Sequence, residues 1–489
     1  MNPFKRLAGQ TAIYGTTTIV GRLFNYLLVP FHVRIFAPEV YGVVGEMYAY
    51  ISLLLVILTY GMETAFFRFY ESEKDKNKVF STSMISLITT STFFVIIISF
   101  LSQPLANIIR YPNHSEYIIW LAIIIAFDAI STVPFAKLRA LNKAKRFASL
   151  KLLNIFIYGG LNVFFLFLCP FMLKHNIALP FINLIYSSKI GVGYIFIANV
   201  IASIVTLLLL LPEIKSIDFK IDFAQLKKML WYAFPLLIFG LAGIVNETMD
   251  RLFLKYLLPP DIAMKQVGIY SACYKISIMM TIFIQAFKYA AEPFFFSLSK
   301  ESNARKIYAD VTKYFVIACS LIFLVIMLYM DIVKHFVDKE YYIGLEVVPI
   351  LLLANIFIGI FYNLSIWYKL TNQTHFGAYI SVFGAVITLV LNYLLIPIMG
   401  FMGSAWTTFI CYFAMMVVSF IIGQKYYKVD YKVKSILLYL LAAVLIYLGF
   451  NFIEFHHLWL KLFVASLLII TYMGFAFVIE RKNILKIIK

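Results

Sequence analysis

The residues with chemistry to offer in this sequence are ionisable side chains set inside long apolar runs. Arg22 and Asn25 interrupt the first run, Glu46, Glu63 and Arg68 the second, and Asp128 the fourth. Asn246, Glu247, Asp250 and Arg251 stand together in the seventh. The eighth carries Lys275, then Thr281, Gln285, Lys288 and Glu292 at spacings that place the last four on one helical stripe. A charge inside a membrane is costly, so it faces a polar cavity, a partner or an interface. Arg22 and Lys288 lie well inside their runs and are expected to line an aqueous cavity with Asn25, Lys275 and Gln285. Such a cavity has basic walls. In a low-dielectric setting it favours a multiply anionic guest, such as a pyrophosphate or an acidic sugar chain.

Each charge also has a structural reading. Glu247 and Arg251 stand at i, i+4 in the favourable order and either neutralise each other or serve the cavity, with Asp250 in the same network. Glu46, Arg68 and Glu292 lie near run ends, where snorkelling to the interface is expected. No phosphate-cradling loop, external carboxylate pair or histidine cluster is present, so no catalytic residue, metal site or cofactor is assigned. The expected role is binding and movement rather than an enzyme's.

The elements that carry these residues follow from composition. Of 489 residues, 62% are apolar, 18% aromatic and only 13% charged, about half the charge of an ordinary globular domain. At roughly 20 residues per span, about fourteen transmembrane helices use up the chain. They fall at 9–34, 42–69, 79–102, 116–136, 147–172, 190–212, 230–257, 267–297, 311–330, 343–368, 377–397, 402–423, 435–453 and 459–479. The fold class is therefore an all-α integral membrane protein. The net charge of +18 reads as topology, not nucleic-acid binding, because Lys and Arg gather on the cytoplasmic side. The segments before span one and after each even span hold most cations, from Lys5 and Arg6 to the tail beginning at Arg481. The opposite segments hold few, among them Arg110, Lys174, Lys265, Lys334 and Lys339. Both termini are expected in the cytoplasm, and Lys5 and Arg6 introduce a retained first span rather than a cleaved signal. The four cysteines lie in apolar runs without ligand spacing and read as packing residues.

A link at 213–229 separates spans six and seven. Arg139, Asn142 and Asn162 recur 230 residues later as Lys369, Asn372 and Asn392. Tyr41-Gly42-Val43 and Val267-Gly268-Ile269 open spans two and eight, and Gly191-Val192-Gly193 and Gly400-Phe401-Met402-Gly403 open spans six and twelve. Three correspondences in one order argue for duplication. They divide the chain into a six-helix lobe (1–212), the link, a second six-helix lobe (230–423) and a terminal pair with its tail (424–489). The two pseudo-symmetric lobes are expected around a central cavity.

With these residues in place, the chain resembles a known family. The opening Ala8-Gly9-Gln10-Thr11 through Arg22, "FAPEVYGVVGEMYAY", "FPLLIFGLAGIVNETMDRLFL", "VGIYSACYKI", the paired "LNKAKRF" and "LTNQTHF", and "GFMGSAWTTF" are similar to bacterial polysaccharide flippases. These belong to the superfamily of multidrug-and-toxin extruders and lipid II flippases. The resemblance covers the whole chain. It implies alternating access carrying an undecaprenyl-diphosphate-linked oligosaccharide, of O-antigen or capsule type, across the bacterial inner membrane. It also implies roles for Arg22 in the cavity and for the pair Asp250–Arg251.

The expected partners are thus the lipid-linked anionic glycan, membrane lipid, and a polysaccharide polymerase or other assembly protein. The driving force is either the membrane potential or coupling to Na+ or H+ through Glu63, Glu247 or Asp250, with Glu292 in the same charge network. A cation-coupled multidrug extruder is an alternative, but it calls for an acid in mid-span one, where this chain has Arg22. A lipid II type flippase is a closer alternative. A membrane polymerase or ligase requires a large outer loop with catalytic residues, and the longest, near 173–189, is short and almost uncharged.

Overall fold

The computed structural model describes residues 3–177, 180–298, 301 and 303–488; side chains are described from Gly15 to Arg481, except within the gaps and at Phe181, Pro293 and Ser297. Lys5, Arg6 and the tail beyond Arg481 lie outside the described side chains. The described chain is helical, with no strand among the described residues. In order the helices are α1 Pro3–Ile35, α2 Pro38–Ser72, α3 Lys76–Phe100, α4 Ser115–Ala140, α5 Ala144–Lys174, α6 Gly193–Leu209 and α7 Phe223–Leu257. They continue as α8 Pro260–Leu298, α9 Ala304–Leu328, α10 Lys339–Leu370, α11 His375–Met399, α12 Phe401–Tyr426, α13 Val433–Asn451 and α14 Leu458–Ile488. Among the described residues, 12 are long and apolar enough to cross a membrane; α6, at 17 residues, is shorter, and α1 is the other. Both stand where spans one and six are expected, so the protein is a multi-pass membrane protein on the fourteen-helix plan.

Two helices depart from regularity. α2 breaks at Tyr60 and Gly61, both with positive φ (36° and 71°), and α5 contains a π-helical turn at Phe164–Leu168. Contacts divide the chain into two compact units, Met1–Gly268 and Ile269–Lys489. This packing boundary falls after Gly268 and not at the link 213–229, because α7 lies against α2 and α3 in this structure. Asp222 caps α7 by accepting from the Gln225 backbone N–H at 2.9 Å, and it is paired with Lys78.

In the first unit, α4 packs on α3, α2 and α6, while α5 packs on α6 and α1. Phe66, Phe80, Met84 and Met229 form a core where α2, α3 and α7 meet. In the second unit α12 packs on α10 and α11, and α9 holds the terminal pair. Lys313 of α9, fully buried, is ion-paired with Glu480 of α14, which also accepts from Tyr439 of α13 at 3.1 Å. The expected span nine, 311–330, has Lys313 near its start; α9 begins earlier, at Ala304.

The repeat is visible in backbone geometry. Asn142 and Asn372 both take the left-handed conformation, φ 56° and 57°, which Asn tolerates better than most residues. The next N–H closes the same turn in each, Lys143 to Leu138 O at 2.8 Å and Gln373 to Tyr368 O at 2.7 Å. Gly191 and Gly400 likewise share a positive φ, 51° and 56°. All four cysteines are buried, and none is in a disulfide.

Candidate functional site

α1 is seated on α5 by small residues. A β-carbon on Gly159 would lie 2.1 Å from the Phe24 ring, and one on Gly21 would lie 2.9 Å from Ile155. Further along, His32 and Asn162 are hydrogen-bonded at 2.9 Å in a buried position. Arg22 and Asn25 are both exposed and lie beside that seam. At 100° per residue they share a face with Val29 and Val33, which are buried. The exposed apolar stripe of α1, Val20, Leu23 and Leu27, lies on the other side. Arg22 has no ion pair among the described residues.

On α7 the sequence left two pairings open, and the structure separates them. Arg251, buried, donates to the Asp250 carboxylate at 2.8 Å and to the Glu247 backbone carbonyl at 2.7 Å. The Glu247 side chain is exposed and makes no ion pair among the described residues. The i, i+4 neutralisation of Glu247 by Arg251 is therefore not made; the shorter Asp250 link wins.

Glu63 is paired with Arg139, whose guanidinium lies 4.7 Å from the Phe67 ring. In the second unit Glu292 pairs with Lys369 at 2.7 Å. Arg139 and Lys369 are repeat equivalents, so one ion pair occurs twice, tying the end of α2 to α4 and the end of α8 to α10. Glu292 is thus held by a cation of its own unit. Arg68 is exposed, and its guanidinium covers the Tyr232 ring at 4.2 Å.

Lys288 and Glu292 face a narrow recess with Tyr362, Asn363 and Lys369, with room for about one water at ≈ 20 Å³. The Lys288 ammonium lies 4.6 Å over the Tyr362 ring. Asn363 is buried and donates to Gly359 O at 3.0 Å, leaving its carbonyl oxygen without a partner. Lys275 and Gln285 are half-buried and stand outside this recess.

Sequence reasoning missed one group. Glu46 is fully buried, not snorkelling, and its two oxygens accept from Lys255 at 2.7 and 2.8 Å. Tyr111 donates to the same carboxylate at 2.6 Å; burial first, and then that carboxylate, raise its phenol pKa. Lys255 is one turn beyond Arg251, so continuation of the charged face was the available sign. Beside this cluster α2 meets the first turns of α8. A β-carbon on Gly268 would lie 1.8 Å from Pro38 O, and one on Gly42 would lie 2.3 Å from Met264 O. The two glycines that mark the repeat thus pack against each other's helices, as small residues permit in membranes.

No metal-binding cluster occurs among the described residues. Solved structures share the fold. The lipid II flippase MurJ, in an inward closed conformation, aligns with a TM-score of 0.73 at 15% identity over 97% of this chain and 99% of that one. An inward-facing MATE multidrug-resistance transporter of the MOP superfamily aligns at 0.65 and 15% identity, over 83% and 94%. A MATE complex with MaD3S aligns at 0.60 and 14% identity, over 86% and 94%. No curated protein matches the sequence. Residues 7–299 match the family described as polysaccharide biosynthesis protein. Since that match spans more than half of the chain, the protein belongs to the polysaccharide biosynthesis protein family.

Proposed function

We propose that this protein flips an undecaprenyl-diphosphate-linked oligosaccharide, of O-antigen or capsule type, across the bacterial inner membrane by alternating access. Arg22 carries the reading: a cation in mid-helix, exposed, without an ion pair among the described residues and off the lipid-facing stripe of α1. Such a charge is stable in a membrane only beside water or an anion. The diphosphate supplies the anion, and the prenyl tail stays in lipid. Asn25, Arg251, Lys275, Gln285 and Lys288 complete the proposed binding set, and the recess at Lys288 with its unmatched Asn363 oxygen offers a further polar contact.

Both termini lie in the cytoplasm on this reading, which puts the Gly42–Gly268 contact and the Glu46–Lys255 cluster toward the outer side. The driving force is the membrane potential, about 2.3 kcal/mol per charge per 100 mV, or an ion. For ion coupling Glu247 is the acid to test, since Glu63 and Asp250 are held by arginines. A polymerase or other assembly protein takes the flipped unit. No bond is made or broken in the step.

The test is transport of the lipid-linked glycan in reconstituted vesicles. Arg22→Ala and Lys288→Ala are each expected to slow it about tenfold or more, the scale of one lost charged hydrogen bond, and Arg22→Lys to retain part. Unchanged transport by both alanine variants sinks the proposal. So does cysteine labelling that places both positions against lipid.

A further inference from the structure

A second concave feature lies on the other side of α1 from Arg22. Between α1 and the last turns of α5 is a groove of about 550 Å³, within the size range of ligand sites. Its walls follow one pattern twice. Leu27, Phe31 and Arg34 stand at i, i+4 and i+7 on α1; Phe167, Phe171 and Lys174 stand at the same spacing on α5. That spacing keeps each set on one helical face. Each face runs from apolar residues to a cation in the last turn of its helix.

The π-helical turn Phe164–Leu168 shapes one wall. It leaves Phe165 and Leu166 buried while Phe167 and Phe171 are exposed, their rings stacked at 6.1 Å between centroids. Single π turns recur at functional sites. Two cations at helix C-termini also have a plain explanation, the helix dipole and snorkelling. Neither accounts for their convergence at one end of one apolar groove. It is the more notable because the side assigned to this end is poor in Lys and Arg.

We propose that this groove holds an anionic phospholipid of the surrounding bilayer, its acyl chain along Leu27, Phe31, Phe167 and Phe171 and its phosphate between Arg34 and Lys174. Basic pockets between membrane helices bind lipid headgroups in this way. The site is separate from the transport path and does not depend on the identity of the cargo. A lipid lodged there bridges α1 to α5 at the end away from the N-terminus.

Native mass spectrometry of the full chain in detergent tests this, with phosphatidylglycerol and phosphatidylcholine of identical tails. The wild type is expected to retain phosphatidylglycerol about fivefold better or more, on the order of one cation's attraction to an anionic headgroup. R34Q/K174Q removes the preference, and both positions are exposed, so the variant keeps its fold. F167A/F171A lowers retention of both lipids, while K339Q, a cation assigned to the same side, changes nothing. Equal retention by the wild type overturns the proposal, as does a preference that survives R34Q/K174Q or falls equally with K339Q. Displacement by inorganic phosphate would make the groove a plain anion site, and displacement by a prenyl phosphate would assign it to the cargo. Either result also overturns it.

Discussion

Glu46 and Lys255 are nearly inaccessible, and each is the other's counter-charge. Removing one member of a buried pair strands the other, which costs about 3–5 kcal/mol, whereas replacing both with apolar residues of similar size is often neutral. E46Q and K255M are each expected to lower stability on that scale, and E46M/K255M to recover most of it. Thermal unfolding in detergent reads the cycle; additive losses would show that the two do not act as a pair. This cluster was half legible in the sequence. Glu46 sits near the start of its run, so interface snorkelling was the natural expectation. Its partner lies 209 residues away, and no local spacing rule connects them. Arg22 was readable because what marks it, a lone cation in mid-run, is local.

At the scale of helices, the Gly42–Gly268 contact sets how closely α2 and α8 approach. A methyl group on Gly268 would meet the Pro38 carbonyl, which is backbone and cannot swing aside. Gly268→Ala should force the helices apart, with an overpacking loss of about 1–3 kcal/mol. Glu46 should then become accessible to a water-soluble carboxyl reagent; unchanged protection would show that the contact does not shield this carboxylate. The paired repeats teach a related lesson. An offset of 230 exposed Arg139 and Lys369, yet their carboxylates, Glu63 and Glu292, are 229 apart. A one-residue slip hid the fact that the ion pair itself was duplicated.

For the molecule as a whole, composition alone anticipated the fourteen-helix plan, since a bilayer permits few alternatives for so apolar a chain. Orientation rests on the distribution of cations and has a direct test. A fluorescent protein fused to either terminus should fold and fluoresce in the cytoplasm, and alkaline phosphatase in the same places should stay inactive. Phosphatase activity at either end would reverse the assignment of inside and outside. What the sequence could not supply is the packing of α7 on α2 and α3, because no local spacing rule connects residues so far apart in the chain. Nor did it reveal that α13 and α14 are fastened to α9 by the buried Lys313–Glu480 pair, since the partners lie 167 residues apart.

The break in α2 has a mechanical consequence. Tyr60 and Gly61 correspond, at the same offset of 229, to Tyr289 and Ala290, and there α8 runs on without interruption. Glycine accepts the left-handed turn that alanine resists. Duplication therefore left one limb with an elbow and its twin without one. Bending is easy in the first copy and costly in the second, so flexing is concentrated at the joint of α2.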